Sequence, residues 1–482
     1  MPVAIFKTNI MLQQIIRNEW RLWRRDRRTV WLLATLVVLS LLSLLFQVGE
    51  TVSKFHKRKA AQEASRSAWL DQGEKHPHIA AHFGNYAYKQ PSVLMIFDPG
   101  LTAYTGSSVY LEPHRQNDFL LYESGEQDTG ARFGSFTPAF VCQFIVPLLI
   151  ILLTFTLVVS EKAGGTYSLY LVQGASPRQI ITGKTAAVAL LFGGFITLYL
   201  LLTVTVGAIA VSAHLPLKSF LLLWLGYLLY YIIWCGIGVT VSALVKTSGA
   251  AVSLLLLFWI FSSVILPKWA ASAGENAYPL ITNYAFKKKI AEDIANGLNG
   301  HDVASERARR IQDSVLQAEG VDSVQRLKFN LEGYIMQRGE EYSSNVYDIH
   351  YKALYNTLEN QRKLHSSFSL ISPAMLLRNI SMAASNASLE TEMRFQQDAE
   401  DYRRSFVQAM NYDMMYNSIW GSESWEHYKV KNSLYRDIKA FEAPTQSLKW
   451  RMSFVKTEIA GLLAWLLLVI STIFFISRKN QL

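Results

Sequence analysis

The chain has 482 residues, half of them hydrophobic, and its 47 Lys and Arg against 37 Asp and Glu give a formal net charge of +10. An average soluble domain is about 45–50% apolar, so this total alone excludes no class of protein, whereas the distribution does. Six apolar runs without a charged residue are long enough to cross a membrane, and they predict an integral membrane protein. The predicted spans are Val30–Val48, Ala139–Ser160, Thr185–Ser212, Phe220–Val245, Ala250–Leu266 and Ile459–Ser477.

The Lys and Arg residues beside the spans give the orientation, since basic residues accumulate on the cytoplasmic side. With six spans they all fall on one side, so both termini are expected to be cytoplasmic. This bias accounts for the net charge, and nucleic acid is not needed as a partner. Cys142 and Cys235 both lie in apolar runs, which fits a bacterial inner-membrane protein without external disulfides. The basic residues are Arg17, Arg21, Arg24, Arg25, Arg27, Arg28, Lys162, Arg178, Lys184, Lys246, Arg478 and Lys479.

Residues 1–29 precede the first span and contain a predicted amphipathic helix, Asn9–Arg25. Its tryptophans and arginines lie on opposing faces, which predicts a helix in the inner headgroup layer of the lipid bilayer. A soluble cap helix is the alternative. The apolar face is formed by Leu12, Ile16, Trp20 and Trp23.

Two long segments are predicted to be external. Residues 49–138 form a smaller mixed domain, in which Val93–Ile96 and Ser108–Leu111 have the composition of short strands. Residues 267–457 form a larger, mostly helical domain that begins where Pro267 ends the fifth span, and Ser372-Pro373 marks a helix start within it. The other segments are the cytoplasmic loop 161–184, the external turn 213–219, the cytoplasmic turn 246–249, the sixth span 458–477 and the cytoplasmic tail 478–482.

None of the six apolar runs contains Asp, Glu, Lys, Arg or His, which argues against a carrier driven by an ion gradient. Energy is therefore expected to arrive through the cytoplasmic loops. Gly183-Lys184-Thr185 looks like the end of a phosphate-binding loop, but Arg178 stands where the motif needs glycine and Thr185 opens a span. No Ser-His-Asp or Cys-His set can be assembled, so the chain itself is not expected to be an enzyme.

The loop between the second and third spans resembles that of ABC-2 type transporter permeases, the membrane subunits of a class of ABC exporters. The resemblance implies an all-α, six-span membrane subunit that works as a pair of identical or related permeases with two ATPase subunits. The ATPase, which would bind ATP and Mg, is expected to dock on this loop, and the chain itself needs no cofactor. The matching positions are Glu161, Gly165, Thr166, Leu169, Pro177, Arg178, Gly183 and Lys184.

The two external segments are similar to those of a bacterial branch of that family for which no function is agreed. The likeness rests on the stretches FDPGL (97–101), EPHRQND (112–118) and ISPAMLLRNIS (371–381). After the last stretch the branch often has Gly-Thr, whereas this chain continues Ala384-Ser385-Asn386. The expected function is ATP-driven export across the inner membrane. The alternatives are ATP-driven movement of the external domain against a periplasmic protein and a receptor-like anchor.

Two further groups of side chains each have more than one interpretation. His76, His78 and His82 have ligand types suited to Zn or Cu, but Pro77 restricts their geometry and no metal site is expected. An aromatic and hydroxyl group in the fourth and fifth spans either lines a substrate path or packs between helices, and packing is favoured. Its members are Tyr227, Tyr230, Tyr231, Trp234, Trp259, Ser262 and Ser263.

Overall fold

The computed structural model describes residues 2–83, 85–118, 136–211, 215–300, 303–418 and 427–479, and side-chain surroundings from residue 11 to residue 476 within them. The predicted boundaries that involve residues 119–135, 212–214 and 480–482 lie outside the described residues. Within those described, the α-helices in chain order are α1 (Pro2–Arg25), α2 (Arg27–Leu70), α3 (Pro77–His82), α4 (Thr102–Thr105), α5 (Pro138–Phe140), α6 (Val146–Thr154), α7 (Val159–Ala163), α8 (Thr166–Val172), α9 (Pro177–Ala210), α10 (Leu217–Leu244), α11 (Ser248–Ile260), α12 (Leu266–Ala277), α13 (Asn283–Asn296), α14 (Ala304–Glu319), α15 (Leu331–Ser369), α16 (Pro373–Ala384), α17 (Leu389–Asn417), α18 (Asn432–Asp437), α19 (Leu448–Ser453) and α20 (Lys456–Lys479).

Six helical segments are long and apolar enough to cross a membrane, which confirms the predicted number of spans. They are α2, the segment from α5 to α7, α9, α10, the segment from α11 to α12, and α20. The first of them is far longer than the apolar run that predicted it. Asp26 caps its first turn by accepting hydrogen bonds from the backbone N–H groups of Arg28 and Thr29, and the helix then continues for 44 residues to Leu70.

The second and fifth spans each contain one π-helical turn, Val141–Ile145 and Phe261–Ile265. Each turn is followed two residues later by a proline inside the helix, Pro147 or Pro267. Proline has no N–H and cannot make the usual hydrogen bond to the preceding turn. With a π-helical turn just before each proline, the helix continues without a break. Pro267 does not end the helix, which runs on to Ala277, and the end of the fifth span at Pro267 stays a prediction.

Among its described residues, the segment at 49–138 contains one two-stranded antiparallel sheet, made of β1 (Asn85–Tyr88) and β2 (Ser108–Leu111), with Tyr86 opposite Tyr110. The predicted strand at Ser108–Leu111 is confirmed. Val93–Ile96 forms a 3₁₀ helix instead of a strand, and all four of its side chains are buried. A strand exposes alternate residues, whereas this short run turns its apolar side chains into the core on every side.

The segment at 267–457, predicted to be external, is mostly helical, as predicted, and one of its helices packs against the spans. Ser372 caps α16 by accepting a hydrogen bond from the Met375 N–H at 3.1 Å, with Pro373 at the first helical position. The helix packs against α10 and α20. The approach to α20 is so close that a Cβ on Gly461 would lie 2.9 Å from Cδ2 of Leu376. The sequence assigned α16 to the external domain without indicating this contact.

The Ala384-Ser385-Asn386 stretch ends α16. Asn386 has φ of +64°, a left-handed conformation that asparagine tolerates better than other non-glycine residues. The Ala387 N–H then donates a hydrogen bond to the Met382 carbonyl at 2.9 Å, closing the helix end. The Ala387 carbonyl in turn accepts a hydrogen bond from the Leu101 N–H at 2.9 Å, so this turn also holds the FDPGL stretch of the first external segment.

Candidate functional site

The loop between the second and third spans consists of two short helices separated by two glycines. Helix α7 ends at Ala163, and α8 begins at Thr166. Gly165 has φ of +80°, in the left-handed region where a side chain is strained, so it permits the change of direction between the two helices. Ser176 and Gln179 then form a capping box at the start of α9, with Pro177 in its first turn.

The centre of the site is a buried group of three charges, here called the Lys184 triad. The Lys184 ammonium group contacts the carboxylate of Glu19 and lies 2.7 Å from Oε1 of Glu161. Lys184 and Glu19 are fully buried, and Glu161 is mostly buried. The three residues come from α1, α7 and α9, so the triad joins the N-terminal helix to the adjacent ends of the second and third spans. A buried charge is strongly destabilising when it loses its partner, and this arrangement leaves none of the three alone.

Close packing supports the triad on the α1 side. Gly183 lies against α1, where a Cβ would approach Cγ2 of Ile15 to 2.9 Å, so only glycine fits without a shift. The side-chain amide of Asn18 donates a hydrogen bond to the Tyr170 hydroxyl at 2.7 Å, which attaches α8 to α1 as well. The N-terminal helix is therefore packed on the loop and on the third span.

The fourth span contributes the next set of contacts. The Lys162 ammonium group donates a hydrogen bond to the Ala243 carbonyl at 2.7 Å, near the C-terminal end of α10, where a cation is favoured. The Ser242 hydroxyl accepts hydrogen bonds from the N–H groups of Val158 and Val159 at 3.1 and 3.2 Å. These bonds satisfy the backbone where the second span is interrupted before α7.

The outward face of α8 is apolar and exposed. Leu169 is 59% exposed and Val172 is 85% exposed, whereas Tyr167 on the opposite face is buried. Thr166 is exposed at the start of the same helix. Helix α8 is therefore held on one face by buried contacts and presents Leu169 and Val172 on the other.

The eight residues predicted for this site fall into two groups. Glu161, Pro177, Gly183 and Lys184 have structural contacts inside the protein, while Gly165, Thr166, Leu169 and Arg178 lie on the exposed side. The Lys184 ammonium group is enclosed by two carboxylates.

Sequence reasoning missed Glu19. The signal was present, because Glu19 is the only acidic residue in α1 and interrupts its basic pattern.

The aromatic group of the fourth span is packed against the π-helical turn of the second span. The hydroxyls of Tyr230 and Tyr231 donate hydrogen bonds to the carbonyls of Gln143 and Cys142 at 2.8 and 3.1 Å. The Gln143 amide donates to the Tyr227 hydroxyl at 2.8 Å, and Trp234 is fully buried. These contacts favour packing over a substrate path.

The residues singled out in the fifth span also make packing contacts. Ser262 and Ser263 are buried in its π-helical turn, and the Ser372 hydroxyl donates a hydrogen bond to the Ser262 carbonyl at 2.7 Å. Trp259 packs against the same core as Trp234. The fifth span is thereby joined to the start of α16.

A second polar group, at the outer side of these tyrosines, was not indicated by the sequence. Oδ1 of Asp98 accepts a hydrogen bond from the Gly100 N–H at 3.0 Å, and its Oδ2 accepts hydrogen bonds from the Ser381 hydroxyl and, at 3.5 Å, from the Gln143 amide. The Ser381 and Tyr227 hydroxyls are 3.3 Å apart. Asp98 is buried, and it joins the first external segment to the second span and to α16.

The predicted histidine group is only partly brought together. His78 and His82 lie close to each other and to His114, which the sequence did not single out. His76 stands at the N-terminal cap of α3 and is not part of that cluster.

Two family models match the chain. Residues 115–285 match the ABC-2 family transporter protein model, which covers the second to fifth spans and the loop with the Lys184 triad. Residues 284–443 match a domain of unknown function, DUF3526, and this match begins at the second residue of α13. A comparison with curated proteins gives no match. The chain thus has six helices that are long and apolar enough to cross a membrane, and over its second to fifth spans it is similar to the ABC-2 type transporter permeases, the membrane subunits of ABC transporters.

Proposed function

We propose that this protein is the permease subunit of an ATP-driven exporter in the bacterial inner membrane, and that a separate ABC ATPase docks on α8. The observation that carries the proposal is the position of α8. Its apolar residues Leu169 and Val172 are exposed, while its other face is attached through Tyr170 to α1 and, through Gly165 and α7, to the Lys184 triad. A force on α8 is therefore transmitted to the second and third spans together.

The proposed assembly contains two permeases, identical or related, and two ATPase subunits that bind ATP and Mg. In this arrangement both termini and α8 lie on the cytoplasmic side, and the segments at residues 49–138 and 267–457 are periplasmic. The similarity to that family supports the ATPase partner and the second permease. The positive charges near the inner ends of the spans support the orientation.

A crosslinking experiment tests the docking surface. A photoreactive amino acid placed at Val172 in the full chain, in its native membrane, is expected to capture an ABC ATPase, which mass spectrometry identifies. The same group at Tyr284, which is 79% exposed and lies in α13, is the control and should not capture it. Capture from Tyr284 but not from Val172 would show that α8 is not the docking surface.

A mechanical role without substrate passage is the second candidate. It is favoured by α2, which continues without a break from Asp26 to an outer core in which Trp69 packs against Phe406 and Tyr435, with ring centroids 5.7 Å apart in both pairs. ATP-dependent movement of the external segments against a periplasmic protein would use this continuity.

Vesicles distinguish the two candidates. Inside-out vesicles that contain the complex are supplied with a lipid and peptide extract of the source cells, with or without ATP, and their contents are compared by mass spectrometry. Material retained only with ATP supports export. If nothing is retained while ATP hydrolysis proceeds and the external segments change their mutual distance, the mechanical role is supported instead.

A further inference from the structure

Three histidines converge at the surface of the first external segment, far along the chain from the Lys184 triad. His78 and His82 are one turn apart on α3, and His114 lies in the turn that follows β2. One ligand nitrogen from each residue lies within 4.8 Å of the others. The Nε2 atoms of His78 and His82 are 3.2 Å apart, and the ring centroids are separated by 4.7 to 5.3 Å.

One of these distances matches that of two imidazoles that share a metal ion. Two nitrogens at about 2.0–2.1 Å from a tetrahedral Zn²⁺ are about 3.3 Å apart. The His78–His82 pair has this separation, and the ligand nitrogen of His114 lies within 4.8 Å of both. The side chains of His82 and His114 are exposed, so an ion can enter from solvent. Histidines one helical turn apart are a common source of two ligands.

The third histidine is held in place by a buried carboxylate. Glu340 accepts a hydrogen bond from the His114 backbone N–H at 2.8 Å and also contacts Nδ1 of its ring. This arrangement leaves Nε2 of His114 as the ligand atom. A carboxylate on the second ring nitrogen is what metal-bound histidines usually have, because it fixes the tautomer and the ring orientation.

The backbone and the surrounding charges also favour this placement. His114 has φ of +65°, and among the described residues it shares a positive φ with only one other non-glycine residue, Asn386. Arg403 lies 3.3 Å from the other oxygen of Glu340, so the carboxylate is contacted on both sides.

We propose that His78, His82 and His114 bind one divalent transition-metal ion that prefers imidazole nitrogen, with Zn²⁺ as the reference ion. Three protein ligands leave at least one coordination position for water or for a group of another molecule. Glu340 acts as a positioning residue, and since it belongs to α15, the bound ion would connect the first external segment to the second. The proposal does not depend on export or on the ATPase.

Metal titration of the full-length protein tests the site. The protein is purified in detergent through a tag without histidine, stripped with a chelator, and titrated with Zn²⁺ in competition with a chromophoric chelator. One ion per chain is expected, and Co²⁺ should give the visible absorption of a tetrahedral site with nitrogen ligands. His114→Ala is expected to lower the affinity at least tenfold and to abolish the Co²⁺ absorption, because it removes one of three ligands.

His56→Ala is the matched control, since His56 is an exposed histidine on α2 outside the cluster, and it should bind as the parent protein does. Thermal unfolding of each stripped variant shows whether a loss of binding is a loss of fold. Glu340→Gln should keep the stoichiometry and weaken binding about tenfold, the effect of a lost outer partner. Equal Zn²⁺ binding by the parent protein and a His78→Ala/His82→Ala/His114→Ala variant would overturn the proposal, as would no binding by the parent protein.

Discussion

Oε1 of Glu161 lies 2.7 Å from the ammonium nitrogen of Lys184, and this contact joins the end of the second span to the start of the third. Glu19 on α1 contacts the same ammonium group from the other side. The two spans and the N-terminal helix are thus linked at one point, at the ends of the loop that contains α8, the proposed docking site of the ATPase.

Removing the shared cation should be much more damaging than removing one anion. Lys184→Met leaves two carboxylates buried without a partner, so we expect a loss of about 3–5 kcal/mol in the free energy of unfolding. Glu161→Gln retains the Glu19–Lys184 contact and should cost less. Arg178→Met, at an exposed position of the same helix, is the control. Thermal unfolding in detergent ranks the three variants by stability. Equal unfolding temperatures for Lys184→Met and Arg178→Met would contradict the prediction.

Gly165→Leu should separate ATP hydrolysis from its effect on the membrane. A Cβ at this position meets no atom within 4 Å, but φ of +80° is strained for leucine by about 1–2 kcal/mol, so α8 is expected to change direction. We expect the complex to hydrolyse ATP while transport, or movement of the external segments, is lost. Gly165→Asn is the control, because asparagine tolerates this backbone conformation. Normal coupling in the leucine variant would show that the direction of α8 is unimportant.

Gly183→Leu should displace α1 from the third span. The added side chain collides with Ile15, whose Cγ2 would lie 2.9 Å from the new Cβ, and overpacking of this kind costs about 1–3 kcal/mol. Ile15→Ala provides space and should restore part of the loss in the double variant. The measurement is protease cleavage within α1 together with thermal unfolding. Additive effects of the two changes would mean that these residues do not contact each other in the membrane.

Asp98→Ala should loosen the contact between the first external segment and α16. The change leaves the Ser381 hydroxyl and the Gly100 N–H without their acceptor, at a cost of about 1–3 kcal/mol. A double-mutant cycle with Ser381→Ala is expected to give a coupling of about 0.5–3 kcal/mol, since the two side chains are in direct contact. Ser367→Ala, exposed on α15, should combine additively with Asp98→Ala. A Ser381 cycle without coupling would exclude the direct contact.

The sequence predicted the spans well because a run of uncharged residues is a local property that requires no knowledge of neighbours. The strand at Ser108–Leu111 and the cap at Ser372-Pro373 were recognisable for the same reason. The two π-helical turns were not predicted, because their residue composition does not differ from that of an α-helical span. Pro267, which follows one of them, therefore indicated the end of the fifth span.

The features that the sequence did not predict depend on contacts between residues that are far apart in the chain. Glu19 and Lys184 are 165 positions apart, and Asp98 and Ser381 are 283 positions apart. The histidine cluster contains His114 and not His76. The β1–β2 pair brings the turn that holds His114 back towards α3, and spacing along the chain does not show this. The apolar pattern of α16 is that of any core helix, so its packing against two spans could not be distinguished from burial within an external domain.

The length of α2 sets the scale of any tilt of this helix. Its 44 residues reach about 66 Å at a rise of 1.5 Å per residue. If α2 tilted as a rigid rod by roughly 5° about its end at Arg27, its end at Leu70 would move by about 6 Å, slightly more than the pitch of an α-helix.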